Sequence, residues 1–106
     1  MQPNQFNGKW KIVEMDAWDL EFIDLVEPGY IEFNSQMSGE FHFGCIYANM
    51  YYVLNNHKIE FTFEGDDEGN EISGRGWVIY KDNELHGHIF FHQGDESGFI
   101  ARLITD

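Results

Sequence analysis

Apolar and polar side chains alternate with period two along most of this chain, and clusters of Gly, Asn, Asp and Pro interrupt the alternation roughly every eight to twelve residues. That rhythm belongs to all-β sandwiches and barrels. It predicts eight strands, over Lys9–Met15, Tyr30–Asn34, Glu40–Cys45, Tyr47–Leu54, Lys58–Glu64, Ser73–Lys81, Glu84–His92 and Phe99–Ile104. No linker, repeat or low-complexity tract divides residues 1–106, which read as a single domain.

Two hairpins can be tested for register. Asn55-Asn56 suits a two-residue turn, because Asn tolerates positive φ. Pairing outward from it sets Tyr52 against Ile59, Met50 against Phe61 and Ala48 against Phe63, which leaves one face apolar and the other polar. Asp82-Asn83 forms a second such turn. It sets Tyr80 against Leu85, Val78 against Gly87, Gly76 against Ile89 and Gly74 against Phe91, so each glycine meets a larger apolar partner.

One segment departs from the rhythm. Asp16-Ala17-Trp18-Asp19 has the form of a helix start with Asp16 as N-cap, and Trp18, Phe22 and Leu25 or Val26 share a helical face before Pro28-Gly29. A short helix or ordered loop over one barrel mouth is expected there. Short antiparallel connections elsewhere favour an eight-stranded antiparallel up-and-down barrel, since closure removes both exposed edges. Trp10, Ile12, Ile31, Phe33, Phe41, Phe43, Met50, Ile59, Phe61, Phe63 and Phe91 are the expected inward residues, enough rings to fill so small an interior.

Gly8-Lys9-Trp10 near the start, together with Arg102 near the end, resembles the calycin pattern of lipocalins and fatty-acid-binding proteins. The resemblance implies a calycin-like barrel whose end is sealed by Trp10 packed against Arg102 through a cation–π contact. A second likeness runs through Trp10-Lys11-Ile12, Glu14-Met15, Trp18-Asp19, Ser73-Gly74-Arg75-Gly76-Trp77 and Phe91-His92-Gln93-Gly94-Asp95-Glu96-Ser97. In these the chain is similar to a group of small acidic bacterial proteins, a likeness that implies no activity.

Charge narrows the function classes. With 19 acidic and 6 basic residues among 106, the formal net charge is −13, which disfavours tracking along a nucleic acid or an anionic membrane and favours a basic partner. Glu14, Asp16, Asp19, Glu21, Asp24, Glu27 and Glu32 concentrate that charge in the first third. Residues Met1-Gln2-Pro3-Asn4-Gln5 carry no signal-peptide pattern, so a cytoplasmic location is expected. The single cysteine, Cys45, excludes an internal disulfide and reads as a buried structural thiol.

Candidate chemistry lies mainly on one strand face. His86, His88 and His92 share it, and imidazoles at spacing two can bind a metal when a third ligand joins them, yet no carboxylate or cysteine stands across from them on the preceding strand. Arg75, Trp77 and Phe90 join His88 and His92 there, and these residue types concentrate in binding hot spots. Asp66, Asp67, Glu68 and Glu71 read as a solvated acidic hairpin loop, and Gly94-Asp95-Glu96-Ser97-Gly98 as a turn. No phosphate loop, Ser-x-x-Lys or metalloprotease helix is present, so no catalytic apparatus or cofactor is legible.

Three readings follow in order. The first is a binding module taking a small apolar ligand in the barrel interior or at its mouth. The second is an acidic interaction or inhibitor protein of the immunity or antitoxin type, facing a basic protein. The third is metal binding by His86, His88 and His92.

Overall fold

A computed structural model describes residues 5–92 and 94–104. Residues 1–4, read above for a targeting signal, and Gln93 lie outside the described residues. The elements are β1 (Gly8–Met15), α1 (Leu20–Ile23), β2 (Tyr30–Phe33), β3 (Ser38–Phe43), β4 (Ile46–Asn55), β5 (Lys58–Asp67), β6 (Asn70–Lys81), β7 (Glu84–Phe91) and β8 (Glu96–Leu103). Each strand pairs antiparallel with its neighbour in sequence, and β8 closes on β1. The protein is an eight-stranded antiparallel barrel with one short helix after the first strand. Among the described residues no helix is long and apolar enough to cross a membrane.

Alternation dictates the interior. Ile59, Phe61 and Phe63 of β5 are buried while Lys58, Glu60, Thr62 and Glu64 between them are exposed, and β4 behaves in the same way with Ile46, Ala48, Met50 and Tyr52 inside. Ten of the eleven expected inward residues are buried, and the other, Phe91, is half-buried and packs against them. Burying each such Phe or Ile contributes about 1.5–3 kcal/mol. A bulge between Ile12 and Glu14 on β1 shifts the register against β8, so that both Ile12 and Met15 turn inward.

Inward rings lean onto glycines of adjacent strands. A β-carbon on Gly76 would lie 2.4 Å from Phe61 Cζ, one on Gly74 2.7 Å from Phe63 Cζ, and one on Gly87 2.5 Å from Phe99 Cζ. The Asp82-Asn83 hairpin has the expected register, with Gly76 opposite Ile89 and Gly74 opposite Phe91, and both turn residues at positive φ. The rings that occupy the space over these glycines nevertheless come from the other neighbour.

The β4–β5 hairpin corrects the expected register by two residues. Asn55 pairs with Lys58, so the turn is Asn56-His57, and Tyr52 faces Phe61 while Met50 faces Phe63. An even slip leaves every side chain on its expected face, which is why alternation alone cannot detect it. Other boundaries also move. Asp66 and Asp67 belong to β5 and Asn70 and Glu71 to β6, around a tight Glu68-Gly69 turn, and Glu96, Ser97 and Gly98 belong to β8. Cys45 sits in the β3–β4 turn, half-buried, where the neighbouring Glu68 carboxylate holds its thiol pKa above the ordinary value.

The sequence places the helix cap one turn too early. Asp19 is the N-cap, accepting from Phe22 N through Oδ1 at 3.0 Å, whereas Asp16 Oδ2 accepts from Gly98 N on β8 at 3.2 Å. The expected helical face of Trp18, Phe22 and Leu25 or Val26 does not form, because α1 is a single turn: Trp18 precedes it and stacks on Phe22, Ile23 is its buried residue, and Leu25 and Val26 are exposed.

The expected Trp10–Arg102 seal is also corrected. Trp10 pairs with Leu103, and Arg102 pairs with Lys11, so the two-residue period turns Trp10 inward and Arg102 outward. Arg102 Nε instead donates to Glu84 Oε2 at 2.7 Å on the outer surface. That end of the barrel is closed by Trp10 meeting Tyr80 edge-on, with Trp10 Nε1 donating to the Phe6 carbonyl at 2.9 Å.

Candidate functional site

Two regions gather chemistry. The first is the outer face of β4 to β8, where successive ladder partners form rows across the strands. Tyr51 faces Thr62, Thr62 faces Arg75, Arg75 faces Phe90, and Phe90 faces Glu96. Two residues along, Val53, Glu60, Trp77, His88 and Gly98 form a second row. Barrel closure thus brings Arg75, Trp77, His88 and Phe90 together, and His92 lies just beyond them with Nδ1 3.1 Å from Ser73 Oγ.

This face satisfies itself. Lys58 Nζ lies 5.1 Å over the Trp77 ring and the Arg75 guanidinium 4.4 Å over Phe90. His88 stacks on Trp77 and holds the Glu96 carboxylate at 2.8 Å. Between the Tyr51 and Trp77 walls runs an open groove of about 470 Å³ floored by Glu60 and Thr62. The sequence reading missed Tyr51, Val53 and Lys58 because they stand two and one strands away from Trp77.

The histidines do not converge on a metal. His86 Nε2 faces Glu84 at 3.3 Å, His88 faces Glu96, and His92 faces Ser73, so each ring is engaged separately. Among the described residues no group of three or more His, Cys, Asp and Glu is arranged to hold a metal ion. The Glu84 and Glu96 carboxylates come from β7 itself and from β8, not from the preceding strand β6. One further histidine, His42, is fully buried: its Nδ1 donates to the Ile46 carbonyl at 2.8 Å, its ring stacks on Tyr47 at 4.0 Å, and its Nε2 has no partner.

The second region is the barrel mouth beside α1, built from local hydrogen bonds outward. Asp16 N donates to the Gly98 carbonyl and Ala17 N to Ser97 Oγ, fixing the chain on β8 as it leaves β1. That projects Trp18 across the opening. Gly44 N donates to the Ile23 carbonyl at 3.0 Å, docking α1 on the β3–β4 turn. Asp24 Oδ1 then accepts from Lys11 Nζ at 2.8 Å and from Gly29 N at 2.9 Å, which ties down the exit from α1.

Rings converge at the mouth. Trp18 lies 5.1 Å from Phe43 and meets Phe91 edge-on at 6.3 Å, and Phe91 meets Phe63 of the core at 5.3 Å. Above them is a hollow of about 230 Å³ lined by Trp18, Phe22, Ile46, Ile72 and Phe91, with Asp67 and Asp95 beside them. The chain matches no family model, no curated protein and no solved structure.

Of the mouth residues, Trp18, Phe22 and Phe91 read in the sequence as helix-face or inward rings, Asp67 and Asp95 read only as solvated loop and turn, and Ile46 and Ile72 were not singled out. Ile46, Asp67 and Ile72 come from strand ends and Asp95 from a turn. Inward parity at the ends of β4, β5 and β6 is the signal that identifies the first three.

Proposed function

We propose that this protein is a binding module that receives a small ligand with an apolar body at the α1 end of the barrel. The carrying observation is the hollow among Trp18, Phe22, Ile46, Ile72 and Phe91, where rings and aliphatic side chains meet solvent. Such concave, mainly apolar surfaces with a few polar groups at the edge are the usual form of small-molecule sites. At about 230 Å³ it suits a ligand or head group smaller than a drug-sized molecule. The interior below is occupied by Phe61, Phe63 and Phe99 resting on glycines, which favours the mouth over the barrel axis.

Toluene in aqueous solution, followed by NMR, tests the reading. Shifts confined to Trp18, Phe22, Ile46, Ile72 and Phe91, and lost when Ile72→Trp fills the hollow, are expected. Shifts confined to the outer groove, or none, overturn it.

A second reading, association with a basic protein, draws on the net charge of −13 and the carboxylates around α1. It expects a lysine-rich peptide to bind in a salt-sensitive way that Ile72→Trp leaves unchanged. Binding that ignores salt overturns it.

A further inference from the structure

We propose that the ligand taken at the mouth is an organic cation, a small alkylated or quaternary ammonium whose apolar body fills the ring-lined hollow. This rests on the binding-module reading and adds the ligand's charge.

The placement of Asp67 is the first support. Alternation along β5 turns Ile59, Phe61, Phe63 and Gly65 toward the interior, and the same parity turns Asp67 inward at the mouth end, half-buried. A carboxylate on the interior side of a barrel strand is costly unless something positive or hydrogen-bonding meets it. Asp95 lines the same hollow, and its carbonyl, not its carboxylate, accepts from Phe91 N. Among the described residues neither carboxylate has an ion-pair partner.

The rings supply the second support. Ring faces carry negative potential and attract a cation within about 6 Å. Among the described residues, the side-chain cations that lie over rings lie over Tyr30, Trp77 and Phe90. The mouth rings Trp18, Phe22 and Phe91 have no such cation, so their attraction remains for a ligand.

Charge distribution is the third. The segments 16–29, 44–46, 66–72, 91–92 and 94–96, which shape the mouth, contain none of the 6 Lys and Arg residues. They do contain Asp16, Asp19, Glu21, Asp66, Glu68 and Glu71 beside the two lining carboxylates. Such a field concentrates cations and repels anions. A bare divalent ion would find two carboxylates among apolar walls, too few oxygens for a hard cation. An ammonium with methyl or alkyl groups matches both the walls and the charge.

Choline and 3,3-dimethylbutan-1-ol, which share a shape and differ in charge, are the probes, read by the Trp18 indole resonance in NMR of the full chain. Choline is expected to bind about tenfold tighter than the alcohol at low salt. The advantage should shrink at high salt and vanish in Asp67→Asn/Asp95→Asn, whose thermal unfolding verifies that it is folded. Equal affinity of the two probes at Trp18 overturns the cation and leaves the mouth reading standing. Choline binding unchanged by the double substitution also overturns it. No response of Trp18 to either probe, with toluene likewise silent, overturns both.

Discussion

The Phe22 ring of α1 rests on Gly44 of the β3–β4 turn so closely that a β-carbon on the glycine would lie 2.4 Å from two ring atoms. Gly44 also has φ of +59°, in the left-handed region. Gly44→Ala therefore meets backbone strain of about 1–2 kcal/mol and overpacking of about 1–3 kcal/mol. Urea unfolding should show a loss of about 2–5 kcal/mol. Phe22→Ala in the same chain should relieve the clash, so the double variant is expected to lose less than the sum of the single ones. Strict additivity would mean that Phe22 does not rest on the glycine.

Gly76 carries the same logic into the interior, where a β-carbon would lie 2.4 Å from Phe61 Cζ and 2.6 Å from the His88 carbonyl oxygen. Gly76→Ala is expected to destabilise by about 1–3 kcal/mol. Phe61→Leu in the Gly76→Ala background should restore part of that, because the shorter side chain withdraws from the new methyl. A Gly76→Ala protein as stable as the parent would show an interior with room that the ring packing denies.

Asp24 supplies a pH dependence. Burial works to raise its pKa, but the Lys11 ammonium, the Gly29 N–H and His42 outweigh that and hold it below the ordinary carboxyl value of 3.8. A lowered folded-state pKa stabilises above the unfolded value, and that stabilisation is lost as pH falls through the folded value. The Lys11 side chain is 27% and Asp24 36% exposed, so solvent screening limits their pair to under about 1 kcal/mol. Asp24→Asn should thus unfold at slightly lower urea than the parent near neutral pH. The gap should narrow below about pH 4 and close further down. A gap that widens on acidification would contradict the assigned direction.

The barrel was legible because period-two alternation is written locally, strand by strand, and closure follows from pairing neighbours. Faces were legible for the same reason, as with Ile59, Phe61 and Phe63. The mouth site was not. It joins Trp18, Ile46, Asp67, Ile72 and Asp95, which approach one another only after the strands have closed. Asp67 looked like loop because acidic residues and glycine surround it, yet the β5–β6 ladder continues to Asp67 and Asn70. On the outer face, Arg75, Trp77, His88 and Phe90 were legible as a group because one hairpin carries them all.

Trp10 and Arg102 show where a resemblance outran the geometry. Their side chains leave opposite sides of the sheet, and the Trp10 ring meets Tyr80 at 6.1 Å instead. Double-mutant cycles separate the two. Trp10→Leu with Tyr80→Leu should couple by about 0.5–1.5 kcal/mol, as an edge-to-face pair does. Trp10→Leu with Arg102→Ala should be additive within about 0.5 kcal/mol. Arg102→Ala alone should leave the urea midpoint at the parent value, since its side chain is 68% exposed and pairs with Glu84 at the surface. Coupling between Trp10 and Arg102 would restore the seal that the resemblance implied.

The two adjacent asparagines of the β4–β5 hairpin decide its register, and they can be told apart. Asn56 has φ of +61° and begins the turn, whereas Asn55 pairs with Lys58 in the ladder and directs Nδ2 to Glu60 at 3.3 Å on the exposed face. Alanine resists the left-handed region by about 1–2 kcal/mol. Asn56→Ala should therefore lower stability by about that much, and Asn56→Gly should restore it. Asn55→Ala removes only an exposed contact and should stay within about 0.5 kcal/mol of the parent. If Asn55→Ala proved the costlier change, the turn would be Asn55-Asn56. Ile59 would then face Tyr52 and Phe61 would face Met50, a slip of two residues that alternation permits and only the turn's backbone forbids.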